Sequence, residues 1–327
     1  MSTRDRHNPK RANRQTNGDS MKKIILIIIV GFLMGEANSD SLKVDGEKPK
    51  IPIGFDLSKG FNIPGLIPKN LIPGTKTFLF PHEIEVIKEA AKNFNPEPVT
   101  EDDIVIMETT RGTMKLKLFP NAAPNHCKNF KKLANSGFYD KTKFHRIIPG
   151  FMIQGGDINS RDNDGKNDGH GGPGWTVNAE FNDIPHKRGI LSMARSSDPN
   201  SAGSQFFICV ADAPHLDGKY TVFGEVIDKV HIVDHIVNTP TENSQAIMMS
   251  KESIPDGEDP DDWITLKDPK TKKKLYSKIP KNMRKTDYEY DMRNKIKSDK
   301  PAIQVIIEKV RVVNNTMENK ETEPVTE

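Results

Sequence analysis

The sequence predicts a mainly β fold: a closed antiparallel barrel with a helix inserted early in the domain. Short segments between residues 103 and 226 alternate apolar and polar residues, and turn residues separate them. Residues 123–139, "APNHCKNFKKLANSGFY", have instead the spacing of an amphipathic helix. Many short strands with few helices are typical of a barrel, because closure removes the exposed edges of the sheet.

Composition narrows the possible functions. The chain has 327 residues, 28% charged and 35% hydrophobic, with 23 glycines and 23 prolines, which suits one globular domain with polar or irregular extensions. The formal net charge is +3, and the sequence has no broad basic surface with interleaved aromatics, so we expect no nucleic-acid partner. Two cysteines, Cys127 and Cys209, are too few for a disulfide framework and are expected to be buried.

The N-terminal segments predict export. A hydrophilic tail, residues 1–20, precedes residues 21–39, where two lysines, an apolar run and small residues have the layout of a signal peptide. The apolar run, residues 24–34, would form a helix of about 16 Å, whereas the hydrocarbon core of a membrane is roughly 30 Å thick. We therefore expect cleavage after Ser39 and a periplasmic, secreted or secretory-pathway location. The alternative is an uncleaved anchor, the only case in which we expect a membrane partner.

Residues 40–101 predict a proline-rich arm that ends in a short helix. Ile-Pro recurs along residues 51–73, and each proline removes a backbone donor and restricts the residue before it. Residues 82–94 then place Ile84, Ile87, Ala91 and Phe94 on one helical face.

The main domain is expected at residues 102–313. It begins with two strands joined by a turn at Arg111 and Gly112, followed by the helix described above, which should end at Gly137. Residues 228–238 have helical spacing, and residues 314–327 are expected to be a disordered tail. Further strands are expected at 144–154, 175–181, 190–195, 205–210, 221–226 and 302–313.

A polar insertion, residues 239–301, precedes the last predicted strand. It contains an acidic stretch, "PDGEDPDDW", and a basic one between residues 267 and 285. Two interpretations remain open, a solvated surface insertion and a subdomain that binds a partner. Because the insertion shares no residue with the candidate site, we expect it to be dispensable for catalysis.

One stretch combines apolar residues with strong donors. Residues 144–157, "FHRIIPGFMIQGGD", set Arg146 and Gln154 among six large apolar side chains. Either the arginine packs its stem and extends its head to water, or the stretch lines a hydrophobic cleft with a few fixed donors.

Three further segments share this composition: "GHGGPGW" at 169–175, "LSMARSSDPNSAGSQFFI" at 191–208 and "HLDGKYTVFGEV" at 215–226. Together the four segments resemble cyclophilins, and the resemblance covers residues 103–237 and 302–313. It implies an eight-stranded antiparallel barrel capped by two helices, peptidyl-prolyl cis/trans isomerase activity on proline-containing polypeptides, and no cofactor.

The resemblance also implies roles for individual residues. Arg146 matches the catalytic arginine of the family. The remaining matched positions are substrate-binding: His145, Phe151, Met152, Gln154, Ala194, Arg195, Gln205, Phe207, His215, Leu216 and Tyr220.

The chain departs from the family pattern at the rim of this pocket. His215 stands where many cyclophilins have tryptophan, and Tyr220 where they often have histidine. The loop that begins at Ala194 and Arg195 is one residue longer than its commonest form. We therefore expect a cyclosporin-type ligand to bind with weakened affinity.

No metal site is expected. Residues 162–169, "DNDGKNDG", approach a calcium loop in composition, but their spacing is wrong for an EF-hand and its closing glutamate is missing. His145, His170, His186 and His215 do not have the spacing of metal ligands.

The sequence thus predicts a peptidyl-prolyl isomerase that accelerates X-Pro isomerisation in exported proteins and assists their folding. The alternative is a module that binds proline segments, or acts as a chaperone, with little turnover.

Overall fold

A computed structural model of the chain describes residues 78–162 and 164–315. The predicted N-terminal tail, the signal or anchor segment, the arm up to residue 77 and the C-terminal tail from residue 316 lie outside the described residues. Among the residues described, no helix is both long and apolar enough to cross a membrane.

The described part contains five α-helices and ten strands. The helices are α1 (Pro81–Asn93), α2 (Pro124–Asn135), α3 (His231–Val237), α4 (Glu242–Met248) and α5 (Lys285–Lys295). The strands are β1 (Asp103–Thr109), β2 (Gly112–Leu118), β3 (Arg146–Ile148), β4 (Met152–Gly155), β5 (Ile190–Met193), β6 (Phe206–Cys209), β7 (Val222–Asp228), β8 (Trp263–Lys267), β9 (Lys274–Lys278) and β10 (Ile307–Asn314).

Eight strands form one antiparallel sheet in the order β10-β1-β2-β7-β5-β6-β4-β3. The mainly β prediction is confirmed, but the closed barrel is not. The sheet ends at β3 and β10, and in the described chain no ladder joins these strands. The segments before them meet at an isolated bridge between Lys143 and Ile306 and at a 2.9 Å bond from the Phe144 amide to the Val305 carbonyl.

The first two strands follow the predicted alternation. Val105 and Met107 of β1 and Met114 and Leu116 of β2 all point into the main core, while the residues between them are partly exposed. The tight turn between the strands requires Gly112, whose φ is +126°.

Two helices pack on this core as predicted. α2 begins with a proline and buries Cys127, Phe130 and Leu133, and Gly137 follows its end with φ +78°. α3 buries Ile232, Val233, Ile236 and Val237 against the same cluster. The predicted α1 adds Ile84, Ile87 and Ala91.

Two strand predictions are wrong in detail. Residues 175–181 form only an isolated bridge, between Val177 and Ala202, because side chains replace the partner strand. Thus the amide of Ala179 donates to Asn200 Oδ1, and that of Glu180 to Thr221 Oγ1. Residues 144–154 form two strands, β3 and β4, because Pro149 and Gly150 (φ +74°) make a turn between them.

The insertion folds with a hydrophobic cluster of its own. β8 and β9 pair, and Ile264, Leu266 and Leu275 pack against Tyr288 and Met292 of α5. Only two residues of this helix are buried, and its other residues are mostly polar, so its sequence has no amphipathic pattern that would predict the contact. The insertion is therefore folded around a small core of its own.

Candidate active site

Strand register brings the predicted donors and apolar residues to one surface of the sheet. Arg146 of β3 pairs with Gln154 of β4, and Gln154 pairs with Phe207 of β6. Side chains of paired residues point to the same side, and successive residues alternate. Ile147 and Ile153 accordingly enter the main core. Both sides of these strands are lined with apolar residues, which explains the apolar run around Arg146.

An apolar cluster separate from the main core lies on the side of Arg146, and we call it the apolar pocket. Its buried members are Met152, Phe207, Cys209, Ala213 and Leu216, and Ile148, Phe151, Ala194 and Tyr220 pack against it while partly buried. Six of the predicted substrate-binding residues thus come together: Phe151, Met152, Ala194, Phe207, Leu216 and Tyr220.

Arg146 is not buried, although apolar residues surround it in sequence. Its side chain is 47% exposed, and Nη1 donates to Gln154 Oε1 over 3.3 Å. On the other side, Nε lies 3.7 Å from Oδ2 of Asp299, a residue of the insertion. The guanidinium therefore sits at the surface with free donor capacity.

A chain of side-chain amides fixes the orientation of Gln154. Its Nε2 donates to Gln205 Oε1 over 3.0 Å, and Gln205 Nε2 donates to the carbonyls of Gly169 and Gly171, each over 2.9 Å. The carbonyls of Gly169 and Gly171 can only accept hydrogen bonds, so Gln205 must direct its NH₂ group at them. It follows that Gln154 donates to Gln205 and that Arg146 donates to Gln154. We call this series the amide relay.

The predicted rim residues contact one another in pairs. The rings of Phe151 and His215 lie 5.5 Å apart, and the Arg195 guanidinium lies 4.5 Å from the Tyr220 ring centre. Arg195 Nη2 also donates to the Lys219 carbonyl over 2.9 Å. These contacts hold Arg195 beside the pocket.

His145 occupies a different position. Its side chain is buried below the surface rather than in the apolar pocket, and it contributes no atom to the pocket cluster. Burial lowers the pKa of His145 from 6.5 to about 4, although Asp168 opposes this effect. The imidazole is therefore neutral near pH 7.

Sequence reasoning missed the residues that support the pocket from behind. The His186 ring stacks on Phe207 with 6.1 Å between ring centres, its Nδ1 lies 2.9 Å from Asp217 Oδ1, and its Nε2 lies 3.0 Å from Ser192 Oγ. His186 lacks metal-ligand spacing, and Phe207 and Asp217 lie 21 and 31 residues further along the chain, so no local motif joins them to it. Asp299 was missed for the same reason.

A cavity of about 650 Å³ adjoins the apolar pocket on the side of the amide relay. Its walls come from two glycine- and serine-containing loops, and Lys88 of α1 also reaches it. The lining includes residues 169–176 and 194–196 together with Ser201, Gly203, Ser204, Gln154 and Gln205.

The groups present can polarise a bound molecule but offer little nucleophilic chemistry. Burial raises the pKa of both cysteine thiols to about 12, so neither forms a reactive thiolate. Within residues 78–162 and 164–315, no cluster of three or more His, Cys, Asp or Glu side chains could hold a metal ion. An exposed guanidinium beside an apolar pocket remains the main chemical feature.

Comparisons of this sequence with known proteins identify the family that it resembles. A sequence model described as "Cyclophilin type peptidyl-prolyl cis-trans isomerase/CLD" matches residues 104–254. A peptidyl-prolyl cis-trans isomerase of Synechococcus elongatus is 50% identical over 123 residues, which are 38% of this chain and 79% of the relative. A peptidyl-prolyl cis-trans isomerase-like 1 of Neurospora crassa is 45% identical over 145 residues, covering 42% of this chain and 83% of that protein.

A crystal structure of a Cryptosporidium parvum cyclophilin type peptidyl-prolyl cis-trans isomerase, determined in the presence of the dipeptide Ala-Pro, has a TM-score of 0.44. It is 29% identical, and the alignment covers 65% of this chain and 99% of that one. With relatives at 50% and 45% identity covered over most of their own length, this chain belongs to the cyclophilin-type peptidyl-prolyl cis-trans isomerases and is an enzyme of that class.

Proposed function

We propose that the protein isomerises X-Pro bonds of polypeptides at the apolar pocket, with Arg146 as the catalytic residue. The observation that carries this proposal is the register of Arg146, Gln154 and Phe207, which places an exposed guanidinium beside the apolar pocket. The family supports proline-containing polypeptides as the substrate class.

The mechanism follows from the amide bond itself. Resonance gives a barrier of about 18–20 kcal/mol, and rotation removes that resonance and localises a lone pair on the prolyl nitrogen. The pocket holds the proline ring, and Arg146 donates toward this nitrogen as the amide twists. Donation that is strongest in the twisted state lowers the barrier in both directions.

The amide relay binds the substrate backbone in this proposal. Gln154 and Gln205 hold each other at 3.0 Å, which leaves their remaining lone pairs and the neighbouring Arg195 to contact peptide groups beside the proline. Such contacts keep the chain fixed on one side of the bond while the other side rotates.

We also propose that the substrates are exported proteins whose folding the enzyme assists. This proposal rests on the signal-like composition of residues 21–39. Isomerisation of X-Pro bonds is slow enough to limit folding, so an isomerase located with newly exported chains accelerates their maturation.

A binding module with little turnover is the rival function. Arg146 decides between the two, because holding a proline segment needs the apolar pocket but no donor directed at the amide nitrogen. The assay is exchange spectroscopy on a short X-Pro peptide, with circular dichroism to confirm folding.

We expect Arg146→Ala to reduce turnover by at least about tenfold. Arg146→Lys should also be poor, because a compact ammonium cannot reproduce the planar donor fork. Arg188→Ala is the matched control, since Arg188 is a half-exposed arginine that pairs with Asp234 of α3 instead. A folded Arg146→Ala protein with the parent rate would contradict the catalytic role and favour the binding module.

A further inference from the structure

The end of the insertion runs beside the strand that carries Arg146. The Ile147 amide donates to the Asp299 carbonyl over 2.9 Å, so Asp299 takes the place of a partner residue at the free edge of β3. A bridge between Thr241 and Pro301 and a bond from the Glu242 amide to the Lys300 carbonyl tie this segment to the start of α4. We call residues 298–301 the return segment.

The side chain of Asp299 faces the guanidinium. Its Oδ2 lies 3.7 Å from Arg146 Nε, while Arg146 Nη1 donates to Gln154 Oε1 on the opposite side. The Asp299 side chain is 36% exposed, so the pair is close enough to attract and remains partly screened by water. Arg146 thus lies between a carboxylate from the insertion and an amide from the sheet.

The same segment also reaches the far end of the amide relay. Lys300 Nζ lies 3.3 Å from Oδ2 of Asp168, whose side chain is largely buried. The next residue, Gly169, supplies one of the two carbonyls that receive Gln205 Nε2. Consecutive residues of the return segment therefore contact Arg146, at one end of the series, and Asp168, which precedes Gly169 at the other end.

A free arginine would not hold one catalytic geometry. Its side chain has roughly 2 kcal/mol of rotamer entropy to lose, and here only a 3.3 Å bond to Gln154 opposes that freedom. Small displacements of a catalytic group lower the rate strongly. A second contact on the Nε side restricts the rotation of the guanidinium while leaving donors available to substrate.

We propose that Asp299 is a positioning residue that holds Arg146 in its catalytic orientation, so that the insertion contributes to the isomerase site. This inference rests on the proposed catalytic role of Arg146. Asp299 belongs to the insertion, residues 239–301, and lies outside residues 104–254, which match the family model. The expectation that the insertion is dispensable is replaced by this proposal.

The test measures peptide turnover in the full chain for Asp299→Ala. An exposed ion pair of this kind corresponds to about a two- to fivefold effect, and we expect that loss in kcat with KM nearly unchanged, because the apolar pocket is intact. Asp299→Glu should recover part of the rate. Asp291→Asn is the control, since Asp291 is a similarly exposed carboxylate of the insertion that pairs with Lys295 over 2.7 Å; it should keep the parent kcat.

Two measurements separate positioning from general stability. The Nε–H resonance of Arg146 should shift and exchange faster in Asp299→Ala, and in an Arg146→Ala background Asp299→Ala should cause no further loss. Unchanged kcat in Asp299→Ala, or an equal loss in both backgrounds, would overturn the proposal. If Arg146→Ala itself kept the parent rate, the proposed function would fail first, so the two failures are distinguishable.

Discussion

His145 shows how burial sets the chemistry of a single side chain in this site. The charged groups that face it are Asp168, Lys300 and Arg146, yet desolvation outweighs them and lowers the pKa of the imidazole to about 4. The unfolded chain should titrate near 6.5. The unfolded state therefore binds more protons between these values, and the stability that a neutral His145 allows is lost as the pH falls below about 6.5.

We expect the free energy of unfolding to fall by roughly 2 kcal/mol from His145 alone between about pH 7.5 and about pH 5. Urea unfolding at both pH values measures it. The comparison is with His145→Gln, which cannot gain this proton and should depend less on pH. This comparison is needed because the raised pKa values of Asp157 and Asp168 act in the opposite direction. Equal pH dependence in the two proteins would show that the buried imidazole is not the cause.

His215 is the residue that we expect to limit binding of a cyclosporin-type ligand. It is exposed at the rim, and its ring contacts the ring of Phe151. Replacing it by tryptophan adds about 40 Å² of apolar contact, worth about 1 kcal/mol, so His215→Trp should tighten binding about fivefold. Calorimetric titration checks this, and turnover of a short peptide should change much less.

His215→Phe separates the apolar area of tryptophan from its indole N–H donor. It adds apolar area without an indole donor, so a gain similar to that of His215→Trp would assign the effect to area. No gain from either variant would mean that another feature of the rim determines affinity.

At this scale, the sequence predicted residues that act within one motif better than residues that act across motifs. Met152 and Phe207 lie where strand alternation places them, whereas Phe151 reaches the same cluster from the turn before β4. The amide relay joins motifs 51 residues apart between Gln154 and Gln205. His186 and Asp299 reach the site through tertiary contacts, which neither spacing nor composition encodes. His145, which was placed with the substrate contacts, is buried and lies outside the apolar cluster.

Among the elements, regular alternation was a good guide and irregular backbone was not. β1 and β2 show the predicted pattern because each has one side on the core and one toward solvent. Residues 175–181 also alternate, but they satisfy their amides with Asn200 and Thr221 instead of a neighbouring strand. Side-chain acceptors of this kind cannot be read from a strand pattern.

The insertion is the element whose role changed most between sequence and structure. Its composition is polar, yet it folds around Ile264, Leu275 and Met292 and returns beside β3. If the return segment acts through Asp299, replacing residues 239–301 by a Gly/Ser linker should reduce kcat by about two- to fivefold.

A second variant tests whether the return segment, rather than the rest of the insertion, maintains the rate. A linker that replaces only residues 250–290 leaves both α4 and the return segment in the chain. We expect this protein to keep a higher kcat than the full replacement, measured in the same peptide assay after circular dichroism confirms folding. Equal rates in the parent and the full replacement would restore the view that the insertion is dispensable.

For the whole molecule, the cysteines and the N-terminal segments both relate to the cellular compartment in which the protein works. An exported protein meets an oxidising environment in which exposed thiols pair. Cys127 and Cys209 are both fully buried and free, and burial raises their pKa values to about 12, so the fold tolerates such an environment without disulfides. A cytoplasmic protein could have the same property, so the N-terminus must decide.

If residues 21–39 are a signal peptide, the mature protein in the producing cell should begin near Asp40. Cleavage there removes the apolar run and leaves the proline-rich arm attached to α1. Intact-mass measurement and N-terminal sequencing of protein purified from its own cells check this.

Replacing Ala37 and Ser39 with large residues should block cleavage and leave the precursor at the membrane, because a signal peptidase needs small side chains at these positions. A mature chain that retains Met1 or Met21 in a soluble fraction would contradict export, whereas an uncut chain found in the membrane would favour the anchor.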